Sequence, residues 1–563
     1  MPGREPDRPP LEVELEPYHD GPDSPLPSPS SSSHPPPTQP QPKWLSQAPR
    51  SRLPSLLTTR TTLTRIFRPR RRLSIRWILC ILAVTYVTIC LIRRQPLLAS
   101  PLPAYTGPHA VGAIDLEIPL LEPRQLSETA FKSTGEPAFE LQSVLFTVYY
   151  PVSHAARAAA KPHLWIPRPV SLTAEGYARF AHADNFFVRG VFTFALWAIA
   201  GGIQIPAKVD APLLGGAGDD DNDGAINGNS SSTFPVMVFS HGMASSRTDY
   251  TNYLGELASR GHVVAAVEHR DGSCPGSMVK INGRRDRRVT HFRESDLLST
   301  PPMDTPMFKR EQLAFREAEI LETIRVLASI NDGNGNDILS TNSRREGQTL
   351  HDWAGRLDMS RLTISGHSYG ATGALQALKS TAATAADDNK DGNDDETSSV
   401  VPVGGIILDP GKESGELNAD ISAPVLVVHS DSWSRKHTVF FGRPHFDTVR
   451  DLVGEVLNRT GAAWFLTSLG TSHPSVSDAP LLEPLLLSWT TGARMNTKEA
   501  LGEYVNVSAE YLQFLQTKEP AGLLAEGVTH QEYGKWVSDE RKDEFPKEMA
   551  RLWEVHVSPG AET

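Results

Sequence analysis

Ser368 stands in the pentapeptide Gly366-His367-Ser368-Tyr369-Gly370, between the run "LTIS" and an alanine-rich stretch that begins at Ala371. A serine at the apex of a strand-to-helix turn holds a strained backbone that exposes its Oγ, and the glycines two before and two after it let strand and helix approach closely. The chemistry this suits is attack on a carbonyl carbon through a covalent intermediate. Negative charge then builds on the carbonyl oxygen, which needs donors already aimed at it. One donor is the backbone amide of Tyr369. The second is expected from the loop after an earlier strand, and "VMVFSHGMASS" offers it: the apolar run ends at Phe239, and Gly242 permits the turn that presents the Met243 amide.

The hydroxyl also needs a general base. On a sheet of this kind the chain order is serine, acid, histidine. His473, just past the apolar run "WFLTS", satisfies that order. His241 comes too early and is expected to shape its own loop, while His429, His437 and His445 read as structural or surface residues. Two acids follow strands: Asp409 closes "GGIILD" and Asp431 follows "PVLVVHS". Spacing leaves both open. No cofactor or metal is called for. Asp219, Asp221 and Asp223, and again Asp387, Asn389 and Asp391, open like calcium loops, but the twelfth positions are Ser230 and Ser398 where a bidentate glutamate belongs. Both are expected as acidic surface inserts, near 215–232 and 384–399.

The elements that must position these residues are legible as apolar runs. Strands are expected at 141–151, 234–242 and 261–273, and at "RLTISG", "GGIILD", "PVLVVHS" and "AAWFLTS". Leu313, Ile320, Leu321, Ile324 and Leu327 recur at helical spacing over 309–330. Continuous apolar strands separated by helices imply a mostly parallel, doubly wound sheet covered on both faces. The expected organisation is a disordered Pro/Ser-rich tail over 1–72, a linker over 95–135, a catalytic domain over 136–515 and a polar helical appendage over 516–563.

The 563-residue chain carries a net charge of -11, yet residues 43 to 76 hold ten lysines and arginines and no acid. The apolar run Trp77 to Ile92 follows at once, which favours a membrane over nucleic acid as the partner of that block. A single-pass signal anchor is expected over 73–94, although sixteen residues span only about 24 Å against a hydrocarbon core of roughly 30 Å. The charge bias then puts everything after Arg94 on the lumenal or extracellular side. The sequons at Asn229, Asn458 and Asn506 all fall there. Of three cysteines only Cys274 lies beyond the apolar run, so no disulfide forms within the main domain.

"FPVMVFSHGMASSRTDYTNYLGELASRGHVVAAVEHRDGS" together with "ISGHSYGATGAL" resembles the platelet-activating-factor acetylhydrolase family of the plasma and type II intracellular kind. The likeness covers most of 140–490, and Glu268-His269-Arg270-Asp271 is its more specific part. It implies an α/β-hydrolase fold and calcium-independent cleavage of short or oxidised sn-2 acyl chains from phospholipids at a membrane surface. It further implies Ser368 as nucleophile, Asp409 as acid, His473 as base, and the Met243 and Tyr369 amides as oxyanion donors. Two positions depart from the family pattern: Ala244 replaces a glycine and Tyr369 a phenylalanine. The apolar segment 185–202 is expected either as a lipid-touching helix, as the family has here, or as a core helix. A general lipase or carboxylesterase on the same fold, and a catalytically inactive membrane-tethered interaction protein, are the competing expectations.

Overall fold

Alternate residues of the central strands point into two different cores. Met237 and Phe239 pack on one side and Val236 and Val238 on the other; Leu426 and Val428 oppose Val425 and Val427 in the same way. A strand buried on both faces has no polar alternation, which explains the continuous apolar runs of the sequence. The computed structural model describes residues 75–93, 98–215, 233–379, 400–435 and 438–560. The tail over 1–72, His437 and the acidic inserts beyond Gly215 fall outside the described residues.

Ten strands form the main sheet: β1 (Ala110–Gln125), β2 (Glu140–Val152), β3 (Lys208–Val209), β4 (Phe234–Ser240), β5 (Val263–Val267), β6 (Leu357–His367), β7 (Gly404–Leu408), β8 (Val425–Ser430), β9 (Ala463–Ser468) and β10 (Trp553–Val557). Their spatial order is β10-β9-β8-β7-β6-β4-β5-β2-β1-β3. The block from β9 through β5 is parallel throughout. β2 joins it antiparallel beside β5, and β10 joins it antiparallel beside β9.

Two expectations about the borders change. The segment 95–135, expected as a linker, supplies β1, which pairs with β2 over most of its length. Its charges hid it: Asp115 and Glu117 sit inside the strand and are neutralised by Arg247 and Arg270 from elsewhere in the chain. The segment 516–563, expected as a helical appendage, supplies the edge strand β10.

The helix α1 (Ile75–Arg93) is a unit by itself. Among the described residues no helix is long and apolar enough to cross a membrane. The single-pass anchor expected at 73–94 is therefore not found; Arg76 and Arg93 limit the uncharged run to about 24 Å. In the domain, α2 (Val170–Phe180) and α3 (Phe186–Ala200) form a helical pair, followed by α4 (Thr251–Ala258), α5 (Thr305–Ser329), α6 (Tyr369–Ala377), α7 (His445–Thr460) and α8 (Thr497–Thr517). Leu254 and Leu257 of α4 and Leu501 and Tyr504 of α8 cover one face of the sheet. Ile320 of α5, Leu375 of α6 and Val449 of α7 cover the other. This puts the carboxyl ends of β4, β6, β7, β8 and β9 at one rim, where open parallel sheets place their sites.

Candidate active site

Ser368 joins β6 to α6 with φ 57 and ψ −122, a left-handed conformation that costs a non-glycine residue about 1–3 kcal/mol. The two flanking glycines have no substitute. A Cβ on Gly366 would lie 2.2 Å from the Gly370 carbonyl oxygen, and one on Gly370 would lie 2.0 Å from the Ser240 carbonyl oxygen. The turn is tied to the next strand by the Ser368 amide, which donates to Leu408 O at 2.9 Å.

The three residues expected to cooperate arrive at the same rim from three strands. Ser368 Oγ lies 3.0 Å from His473 Nε2, and His473 Nδ1 lies 2.9 Å from Asp409 Oδ2. Asp409 directly follows β7 and also accepts from the Ser430 amide at 2.6 Å and the Ser430 hydroxyl at 2.8 Å. Three donors thus surround a carboxylate that is 2% exposed. Such hydrogen bonds fix the direction in which the carboxylate faces.

Asp431, the other candidate acid, faces elsewhere. It accepts from the Gly470 amide at 2.9 Å, from Arg435 at 2.6 Å and from the Tyr533 hydroxyl. Its place is to hold the loop that carries His473.

Sequence reasoning missed the aromatic groups packed against the imidazole. Trp433 stacks on His473 with ring centroids 4.0 Å apart at 12°, and the His367 ring lies 4.5 Å from it, tilted by 37°. His367 Nδ1 meets the Tyr250 hydroxyl at 2.8 Å, and that hydroxyl accepts from the Gly242 amide at 3.3 Å. Burial, and then the neighbouring His473, hold His367 well below the usual imidazole range, so it stays neutral. Its position next to the serine was the only available signal. His367, Asp409 and His473 also have ligand atoms within 4.8 Å of one another, dimensions a divalent cation accepts; Nδ1 of His473 and Oδ2 of Asp409 are already engaged with each other.

The loop after β4, which includes Met243, comes up against the serine at Gly242. A Cβ on Gly242 would lie 3.1 Å from Ser368 Cβ, so the loop lies against Ser368. The amides beside Met243 are both taken: Gly242 donates to Tyr250 and Ala244 to Ser273 O at 2.8 Å. Among the described residues neither the Met243 amide nor that of Tyr369, at the first turn of α6, has an acceptor. Ala244 holds φ 54 where the family pattern has glycine. The hydroxyl that distinguishes Tyr369 from phenylalanine donates to Gln312 Oε1 at 2.7 Å.

Beneath this loop runs a buried charged layer built from Glu268, His269, Arg270 and Asp271. Arg316 of α5, wholly buried, reaches across it: Nε donates to Asp271 at 2.8 Å, Nη2 to Ser273 Oγ at 2.6 Å and Nη1 to His241 O at 2.7 Å. One guanidinium thus ties the start of the loop after β4 to the segment after β5. His241 shapes that loop as expected, its Nδ1 bonding Gly242 O at 2.8 Å and its Nε2 accepting from the His269 amide at 3.0 Å. The same layer contains a second serine, histidine and carboxylate chain. Ser240 Oγ, His269 and Glu319 are linked by two contacts of 2.7 Å, but all three are 0% exposed. Burial separates this chain from Ser368 and His473, which are partly exposed.

α3 answers the remaining sequence question. Only Ala200 is buried in it, while Phe186 is 95% and Phe187 76% exposed, so it is a surface helix and not part of the core.

The chain is also similar to known proteins. A Schizosaccharomyces pombe protein provisionally named a phospholipase A2 is 27% identical over 281 residues, 48% of this chain and 57% of its own length. Proteins named platelet-activating factor acetylhydrolase from Cavia porcellus and Gallus gallus are 27% and 25% identical, over 49% of this chain in each case and 52% and 56% of their lengths. The chain spans about half the length of the curated relatives it matches. Among solved structures, a ferulic acid esterase from Streptomyces cinnamoneus superposes with a TM-score of 0.45 at 17% identity, over 76% of this chain and 97% of that one. The family described as platelet-activating factor acetylhydrolase, isoform II, matches residues 98–540. Because that match takes in β1, every strand that carries a site residue and the loop of His473, the chain belongs to this family.

Proposed function

We propose that the chain is a serine-dependent carboxylic ester hydrolase that removes sn-2 acetyl, short or oxidised acyl groups from phospholipids. The observation that carries this is the continuous contact from Ser368 Oγ through His473 to Asp409, at 3.0 and 2.9 Å. In the proposed reaction Ser368 Oγ attacks the ester carbonyl as its proton passes to His473 Nε2, and the amides of Met243 and Tyr369 hold the oxyanion. Collapse expels the lysophospholipid alcohol, which takes the proton back from His473. Water, deprotonated by the same nitrogen, then releases the acyl group from Ser368. Family membership and the exposed aromatic face of α3 support a lipid substrate met at a membrane surface.

Labelling by a fluorophosphonate, mapped to its peptide, tests nucleophile and class together. Modification at Ser368, lost in Ser368→Ala with the fold intact, is expected; labelling elsewhere or none removes the reading. A p-nitrophenyl ester series is expected to favour acetyl and short chains, whereas a long-chain optimum assigns the chain to the general lipases. The proposed location is the non-cytosolic side of a membrane, supported by the sequons, all of which fall after Arg94. Glycosidase-sensitive mass on Asn458 or Asn506, both exposed, checks it.

A further inference from the structure

We propose that Trp433 is a positioning residue for the general base: its indole fixes the plane of the His473 imidazole, and the segment that carries the acid holds that indole. The proposal rests on the hydrolase reading above and adds a residue to its machinery. A single hydrogen bond does not set the plane of an imidazole. The contact from His473 Nδ1 to Asp409 Oδ2 at 2.9 Å leaves the ring able to swing about that line, and a swing carries Nε2 away from Ser368 Oγ. Trp433 removes this freedom, because its ring lies 4.0 Å from the imidazole with the two planes 12° apart. Rings this close and this nearly parallel touch over their faces, so tilting the imidazole toward the indole drives atoms into one another. The His367 ring, 4.5 Å away and tilted by 37°, cannot set the plane in the same way.

A stack steers only if the indole is itself fixed. Trp433 Nε1 donates to Pro410 O at 3.0 Å. Lys412 Nζ donates to Trp433 O at 2.8 Å and lies 4.6 Å from the centre of the Trp433 ring. Pro410 and Lys412 stand just after Asp409 in the chain, so one short segment at the end of β7 carries the acid and anchors the stack. The main chain of the base is tied to the same place: the His473 amide donates to Ser432 Oγ at 3.1 Å, on the residue before Trp433.

The imidazole is thus gripped at its edge by a carboxylate and on its face by an indole, and both are referred to the carboxyl end of β7. Trp433 is partly exposed, so it also borders the space above the serine. The two roles separate in kinetics. A ring that only walls the cleft acts on substrate affinity, whereas one that aims the base acts on kcat.

Steady-state turnover of p-nitrophenyl acetate by the full chain tests this, with Trp433→Leu, which keeps apolar bulk without a flat face, and Trp433→Phe, which restores a face. Trp433→Leu is expected to lower kcat by about 10² with little change in KM, the loss that a misplacement of about 1 Å produces. Trp433→Phe is expected to recover most of it, and thermal midpoints near the parent's show both variants folded. Lys412→Met is expected to lower kcat in the parent and to add nothing in Trp433→Leu, because both act through one ring. A loss confined to KM, or a Trp433→Phe variant as slow as Trp433→Leu, overturns the proposal. The imidazole is also read without turnover, through the downfield proton resonance of its hydrogen bond to Asp409, identified by its absence in Asp409→Asn. That resonance is expected in the parent and lost in Trp433→Leu; its persistence there overturns the proposal. An inactive parent chain that shows this loss overturns the hydrolase reading and leaves the stack's role standing.

Discussion

The carboxylates that follow β7 and β8 are chemically alike, and only one of them touches the imidazole. Asp409 spends its bonds on His473 and Ser430, whereas Asp431 spends its own on Gly470, Arg435 and Tyr533. Asp409→Asn presents the wrong hydrogen-bond partner to His473 Nδ1. It is expected to lower kcat by about 10³ to 10⁴ while the thermal midpoint stays close to the parent's. Asp431→Asn leaves the imidazole's partner intact and weakens the anchoring of its loop, so a stability loss of about 1–3 kcal/mol with a modest fall in kcat is expected. Steady-state kinetics and denaturation of both variants decide it, and the opposite ranking transfers the acid's role to Asp431.

Between elements, the reactive geometry depends on a clamp that no substrate meets. α5 supplies Arg316, whose guanidinium joins His241 after β4 to Asp271 and Ser273 after β5. Its flat fork spans groups that a single ammonium cannot reach together. Arg316→Lys keeps a cation beside Asp271 and loses the span, so the Met243 amide is no longer held toward the oxyanion. A drop in kcat of about 10² or more with little change in KM is expected, since an oxyanion donor acts in the transition state. Affinity for a trifluoromethyl ketone is expected to fall in step with kcat/KM. Unchanged kcat shows that the loop holds its own shape.

Across the whole molecule the buried imidazoles set the response to acid. Burial pushes His241 and His262 down to about 4, and His445 and His556 to about 3. In the unfolded chain the same groups take protons near 6.5, so below that pH the unfolded state binds more protons and stability falls. Asp249, raised to about 7, Glu554, also to about 7, and Asp478, to about 6, act in the opposite sense, because burial makes the folded state protonate them first. Their contribution improves as pH falls from 7 toward 4. Burial also holds His269, His367 and His429 well below the usual imidazole range and Glu319 well above the usual carboxyl range, so the imidazoles outnumber the raised carboxyls. Urea denaturation is expected to lose several kcal/mol between pH 6.5 and 4; a flat profile shows that carboxylates and imidazoles cancel.

The sequence by itself determined what depends on neighbours in the chain: the elbow at Ser368, the parallel strands that read as unbroken apolar runs, α5, and the order of serine, acid and histidine. Each follows from backbone sterics or burial periodicity within a short window. Only the tertiary structure decided between Asp409 and Asp431, because which carboxylate faces an imidazole 64 residues away depends on how adjacent strands end at the rim. It also turned the segment around Glu268 to Asp271 into the floor of the oxyanion loop, since its partners Glu117, Arg247, Arg316 and Glu319 come from distant elements. β1 escaped notice because charged residues inside a strand are stable only when cations from elsewhere neutralise them. The exposure of α3 was equally hidden: an apolar helix has the same composition in a core or at an interface, and the difference lies in what packs against it.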